Sequence, residues 1–195
     1  MSGRGLGATW SHCAGTAHPL HSPSVRARAV VASILRRRLG RMDMLMALAV
    51  SIGVLIAVWT YIAVGVVAQL SVWAAIVAWG CFFAAGGKMQ GFQKTVAANV
   101  SGLIYAFIAL QLVGLLGGSS AVLAILVGVI AFLMVLQSRI ALLSFIPGAF
   151  IGAAVTVGSK HDTATDYVMT AVSLILGGLL GYVSEALAGA VAKKA

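Results

Sequence analysis

Residues 140–157, "IALLSFIPGAFIGAAVTV", decide how this chain is read. They run 18 residues without a charge and are interrupted near the middle by Pro147-Gly148. A proline has no backbone N–H, and its ring presses on the carbonyl four residues back, here that of Leu143. In water that fault is modest. In a bilayer an unpaired carbonyl costs several kcal/mol unless protein or trapped water satisfies it. A spanning helix here therefore predicts Pro147 facing protein or a polar cavity, with the Ser144 hydroxyl one turn earlier helping to repair the break. A helix kinked for packing alone is the competing reading.

Composition fixes the class around that stretch. Hydrophobic residues make up 61% and charged residues 9%, and mean hydropathy is +1.06, whereas a soluble domain carries about 25% charged residues. The 195 residues hold one helical membrane domain and little else. The formal charge is +9, and seven of the 13 basic residues precede residue 42. Cys13 and Cys81 sit in such different surroundings that no disulfide is expected.

Residues 1–43 hold no span and are expected to form a basic, disordered extension, with the membrane domain at 44–192. Three readings fit the extension. It has the Arg-rich, acid-poor character of an organelle transit peptide; it could be an arm touching anionic lipid through Arg36, Arg37 and Arg38; or the start is mis-assigned and Met42 or Met44 is the true beginning. His12, Cys13, His18 and His21 match no zinc spacing, so no metal is expected. The arginines belong to no folded nucleic-acid-binding module, so no nucleic-acid partner is expected.

From Met44 onward, hydrophobic runs alternate with short polar breaks. About 20 apolar residues are needed to cross the hydrocarbon core. Six spans are predicted, near 44–66, 71–86, 95–115, 120–137, 140–158 and 167–188: an all-α, polytopic membrane helical bundle. With the N-terminus inside, Lys88, Lys94, Arg139, Lys193 and Lys194 join the leader arginines on the cytoplasmic side, and Lys160 alone lies outside. Adding or dropping a span scatters these charges against the positive-inside rule. Both termini are therefore expected in the cytoplasm.

Three spans plus three suggest two inverted repeats. "GCFFAAG" (80–86) aligns with "GAFIGAA" (148–154), and "VAANVSGLI" (96–104) with "VMTAVSLIL" (168–176), at offsets of 68 and 72. The shortest span and the proline-interrupted one then correspond, and paired short or broken segments point to a midplane site. The opposing reading is that small residues, such as the GxxxG pairs Gly148/Gly152 and Gly177/Gly181, only let helices approach.

Chemistry-bearing residues are sparse. Glu185 is the only acidic residue in the spans, placed near the cytoplasmic end beside Lys193 and Lys194, with Arg139 at similar depth as another partner. Proton-coupled transport relies on buried Asp, Glu or His, and none is expected at the midplane. No HExxH, nucleophile elbow or phosphate loop is present, so neither an enzyme nor a cofactor is expected. Trp59, Tyr61 and Trp73 read as an interfacial aromatic belt. Asn99, with Ser101 and Tyr105, must find polar partners inside the bundle, as interhelical glue or as the lining of a solute path. The candidate path comprises Phe82, Asn99, Ser101, Tyr105, Ser144, Pro147, Gly148 and Phe150.

At "WAAIVAWGCFFAAGGKMQGFQKTVAANVSGLIYAF" (73–107) and "FLMVLQSRIALLSFIPGAFIGAAVT" (132–156) the chain resembles the YcdZ-like family of uncharacterised bacterial inner-membrane proteins. "LLSFIPGAFIGA" and the Phe83, Gly87, Lys88, Gly91 boundary are its most specific parts. The resemblance covers roughly Met44 to Tyr182, and residues 1–43 depart from it. It implies a multi-pass inner-membrane protein and supplies no site residues. The residues themselves point to a small channel or facilitator for an uncharged or weakly charged solute. The alternative is an accessory membrane protein acting by helix packing with a partner. The partners expected are the lipid bilayer, a small solute and further copies of the chain.

Overall fold

The computed structural model describes residues 23–159 and 163–192, and the chain divides into two units, residues 1–40 and 41–195. In the first unit the described part is helical from Pro23, where the sequence predicts a disordered arm. The His12, Cys13, His18 and His21 cluster lies outside the described residues, as do Lys160, Lys193 and Lys194.

The elements are α1 (Pro23–Tyr61), continued by a π-helical turn (Ile62–Val66), α2 (Val72–Ala84), α3 (Lys88–Leu115), α4 (Ser120–Leu136), α5 (Ile146–Gly158) and α6 (Ala164–Ala192). Among the described residues, four segments are long and apolar enough to cross a membrane: Met44–Val66, Lys88–Leu115, Ser120–Arg139 and Ala164–Ala192. α2 and α5 have 13 residues each, about 20 Å at 1.5 Å per residue, against a hydrocarbon core of about 30 Å. Of the six spans expected, the two middle ones, 71–86 and 140–158, are short helices about half the length of α3 and α6.

Pro147 explains half of this. It does not kink a helix; it stands in the first turn of α5, where its missing N–H is one of the donors a helix start leaves over anyway and its fixed φ suits the helix. Residues 137–145 are short 3-10 turns and irregular chain instead. Ser144 repairs nothing around Pro147, since its hydroxyl donates to the Ala141 carbonyl at 2.8 Å. At α2, Ser71 caps the helix by accepting from the Ala74 N–H, while its own N–H donates to Ser173 Oγ on α6 at 2.9 Å. α2 ends in a tight turn whose three residues, Gly86, Gly87 and Lys88, all have positive φ. The Lys88 N–H donates to the Glu185 carboxylate at 2.6 Å. Glu185 therefore caps the start of α3.

Small residues set the packing. A Cβ on Gly177 would overlap the Ala75 carbonyl, one on Gly181 would meet the Phe82 ring, one on Gly102 would overlap the Ala149 carbonyl, and one on Gly152 that of Asn99. α2 thus lies along the C-terminal half of α6, from Ser173 to Glu185, and α5 along the C-terminal half of α3. α3 and α6 are antiparallel, since Lys88 meets Glu185 while the Phe107 and Tyr167 rings meet at 4.9 Å. The two short helices therefore occupy opposite halves of the bundle's thickness. Their first turns come to one depth: Ser71 beside Ser173, Gly148 beside Ala98. That depth lies about 16 Å along α3 from Lys88, a rise comparable to half the roughly 30 Å of a hydrocarbon core.

Buried positions in the short helices correspond. Ala74, Ala75, Ala78, Trp79, Cys81 and Phe82 of α2 match Gly148, Ala149, Gly152, Ala153, Val155 and Thr156 of α5 at a constant offset of 74. In the long helices, Thr95, Ala98, Asn99, Gly102, Leu103, Ala106 and Ala109 match Thr170, Ser173, Leu174, Gly177, Gly178, Gly181 and Ser184 at an offset of 75. The register read from sequence differs. Its pairs are not equivalent places, for Phe82 is buried while Phe150 is exposed, and Gly80 is exposed while Gly148 is buried. Trp59 also departs from expectation. It is buried against Ala63 and Ala75 rather than lying in an aromatic belt, whereas Tyr61 and Trp73 are exposed.

Gly102→Ala and Gly177→Ala should each force two backbones apart and lower stability by about 3 kcal/mol. Gly80→Ala and Gly114→Ala, where nothing lies within 4 Å of the new Cβ, should be neutral or stabilise by about 0.5 kcal/mol through helix propensity. Thermal melting of the purified protein in detergent reads both. In the same assay Glu185→Ala should cost about 1 kcal/mol, with Glu185→Gln retaining part of the cap.

Candidate functional site

The first turns of α2 and α5 meet the long helices at mid-depth, and there the interior is polar. Asn99 is completely buried on α3, and neither its Oδ1 nor its Nδ2 meets a hydrogen-bonding protein group. One turn earlier on the same face, Thr95 is also completely buried, and its Oγ1 is likewise unpartnered. Leaving such groups unpaired costs about 1–3 kcal/mol each. Other buried hydroxyls are paired: Ser173 Oγ accepts from Ser71 and donates to Met169, and Thr156 Oγ1 donates to Gly152, whereas Trp59 Nε1 also has no partner among the described residues.

Two clefts lie on opposite sides of this level. One, of about 440 Å³, is lined by the irregular chain Ala68–Ser71 together with Ser159, Asp166 and Thr170. The other, of about 550 Å³, is lined by Ala141, Leu142 and Ser144 before α5 and by Gln90, Gln93 and Lys94 of α3. Each is bordered by the non-helical backbone that leads into a half-length helix. Irregular backbone at membrane depth is tolerated only where it is buried in protein or lines a wet cavity, so these clefts are where such backbone can sit.

The residues of the expected path separate into groups. Asn99, Gly148 and Ala98 converge, with Gly148 buried and its Cα within a methyl's reach of Ala98 Cβ. Ser101 is half-buried, donates to the Ala98 carbonyl, and accepts from Gln137 Nε2 at 3.1 Å. Tyr105 packs against a cluster that includes Ala106, Met134 and Ala149. Ser144 lines the second cleft. Phe82 is buried, but between α2 and α6 against Gly181 and Tyr182. Phe150 and Pro147 are exposed on the outside of α5. A path past Phe82, Pro147 and Phe150 is corrected for that reason: the backbones of α5 and α3 touch through glycines, so only the small face of α5 turns inward. Cys81 is buried, and no group of three metal-ligating side chains occurs among the described residues.

Sequence reasoning passed over Thr95 and Gln137. Thr95 follows Lys94 and reads as the edge of a cytoplasmic loop, yet α3 begins at Lys88 and carries it inward. Gln137 reads as a loop residue and is buried, with Oε1 unpartnered.

Comparison with known proteins agrees with this architecture being an inner-membrane one. The chain is 31% identical to the inner membrane protein YcdZ of Escherichia coli (strain K12) over 142 residues, covering 72% of this chain and 83% of that protein. It is 32% identical to the inner membrane protein YcdZ of Salmonella typhimurium over 142 residues, covering 72% and 85%. It is 36% identical to the uncharacterized protein YahC of Escherichia coli over 114 residues, covering 56% and 67%. No solved structure matches the chain. Residues 49–189 match the family described as protein of unknown function (DUF1097), and with more than half of its length inside that match the chain belongs to that family of inner-membrane proteins.

Proposed function

We propose that the protein is a non-enzymatic facilitator through which a small uncharged or weakly charged solute crosses the inner membrane. On this reading α1–α3 and α4–α6 are two inverted copies of one unit. Each copy has two full-length helices and one half-length helix, so the chain passes through the bilayer thickness six times. The carrying observation is the pair of clefts on opposite ends of the bundle at corresponding positions. Residues 68–71 with 166 and 170 face one side; residues 141, 142 and 144 with 90, 93 and 94 face the other. The matching burial of α2 with α5 and of α3 with α6 supports the repeat. Paired interrupted helices whose N-termini meet at mid-depth are how membrane transporters build a substrate site. With Lys88 and Lys94 in the first turns of α3, the positive-inside rule favours that end as the cytoplasmic one and so both termini in the cytoplasm. The tight contacts of Gly102 with Ala149 and of Gly177 with Ala75 then describe a closed form.

A second reading, an accessory protein working by helix packing, is favoured by those same dry contacts and by the exposed apolar faces of α1 and α4. Permeability separates the two. Proteoliposomes should pass small neutral solutes faster than protein-free vesicles; no increase for any member of a panel of amides and alcohols would leave the packing role. In a Cys13→Ser background, a bulky maleimide on Gln69→Cys or on Ser144→Cys should block the flux, whereas the same label on Leu115→Cys, 82% exposed, should not. Fusions of a cytoplasm-dependent fluorescent reporter to the C-terminus should be bright, and dark fusions would reverse the orientation.

A further inference from the structure

Asn99 carries a cost that the fold does not require. The corresponding position of α6 is Leu174, equally buried, at the same depth, in contact with Ala74, Ala78 and Val155. A side chain of that volume packed by apolar atoms alone is therefore sufficient for this place between a long helix and a half-length one. Asn99 instead brings a carboxamide whose donor and acceptor both go unmet, and Thr95, one turn away, adds an unmet hydroxyl. The two lie on the buried face of α3 that also holds Ala98, against which the first turn of α5 is seated. Their neighbours Gln93 and Lys94 line the cleft at that end. The residue corresponding to Thr95, Thr170, lines the opposite cleft.

We propose that Asn99 and Thr95 form the binding site of the facilitator for a neutral solute that presents a hydrogen-bond donor and acceptor side by side, as a primary amide does. This inference rests on the facilitator reading and names its substrate class. A carboxamide offers both a donor and an acceptor, so it pairs with a solute of the same kind without any charge. A site built to hydrogen-bond a solute rejects analogues lacking the groups far more strongly than an apolar pocket rejects extra bulk, because its own polar atoms are then left unpaired. An ion finds no compensating charge here: the buried polar residues among the described ones are Thr, Asn, Gln and Ser only. Asn99, at mid-depth, supplies the discriminating contact, and Thr95 lies on the way to it from the cleft beside Lys94.

The test is Asn99→Leu, the substitution that α6 already carries at the matching place, read in two ways on full-length protein. The first is thermal melting in nanodiscs with and without acetamide. Asn99→Leu should melt higher than the wild type by about 3 °C or more, because it removes an unmet carboxamide. Acetamide should raise the melting temperature of the wild type and leave that of Asn99→Leu unchanged. The second is proteoliposome flux, where Asn99→Leu should slow acetamide by about tenfold or more while Asn99→Gln retains part of it. A lower melting temperature for Asn99→Leu would mean that Asn99 is interhelical glue and would overturn the site. So would acetamide stabilising both proteins equally, because the effect would then not require the carboxamide. Absence of flux in the wild type, with the acetamide-dependent shift intact, would overturn the facilitator and leave a binding site. Loss of both would overturn both.

Discussion

The structure depends on two places where one helix backbone lies directly on another: Gly102 under Ala149, and Gly177 under Ala75. A half-length helix has too little side-chain surface to anchor itself in lipid. Between helices in a bilayer, lipid tails are as apolar as leucine, so association comes from close van der Waals contact and hydrogen bonds rather than from the hydrophobic effect. Removing side chains at the contact brings the backbones together and increases that contact. α2 and α5 are held this way against α6 and α3, and their capping and turn chemistry follows from being held there. Ser71 reaches Ser173 on α6, and Glu185 of α6 reaches back to the turn at Lys88. A second polar knot, with Trp79 Nε1 donating to Ser184 Oγ and Ser51 Oγ donating to the Ser184 carbonyl, ties α1 and α2 to the same stretch of α6.

Holding the short helices at mid-depth creates a problem that the chain resolves on both sides. The segments leading into them, residues 67–71 and 137–145, contain no α-helix, and the second holds only two single 3-10 turns. Backbone of that kind survives away from lipid, against protein or in a wet cleft. Both segments border clefts, and a few local bonds, such as Leu70 N–H to Val67 carbonyl and Leu143 N–H to Ile140 carbonyl, take up some of their polar groups. Short helices, irregular lead-ins and clefts are thus one device.

Much of this was legible in the sequence, and the misses have physical reasons. Composition announced a helical membrane bundle, and the breaks read at 68–71, 86–94, 117–120, 137–139 and 158–166 each contain a helix end or border one, although α3 already begins at Lys88 and α6 at Ala164, inside two of them. Pro147 marks the interruption but not its kind: hydropathy counts apolar residues and does not distinguish a kinked helix from an irregular lead-in followed by a helix start. The identical letters that suggest a repeat fall out of register with the burial pattern, which matches at offsets of 74 and 75 through residues of similar size, as at Ala78 and Gly152 or Ala109 and Ser184. Asn99 was recognisable because an amide in an apolar run is unusual. Trp59 was not, since a tryptophan near a span's end reads the same whether it meets headgroups or, as here, packs on Ala63 and Ala75.

The asymmetry between the halves carries the chemical argument. A bundle that only had to pack could fill corresponding positions alike, and many of them are: small against small along α2 and α5, Gly102 with Gly177, Thr95 with Thr170. Where polar side chains depart from that pattern, most are paired within their own half, as Ser173 is with Ser71 and Ser184 with Trp79. Asn99 is the departure that stays unpaired at the greatest depth. Full charges are absent from the buried polar residues described, and an isolated ion transferred into such surroundings would lose far more hydration energy than these dipoles return. A neutral group with its own donor and acceptor loses less and regains it from one carboxamide. On the proposed reading, selectivity for neutral solutes follows from what the interior can solvate, before any question of pore width arises.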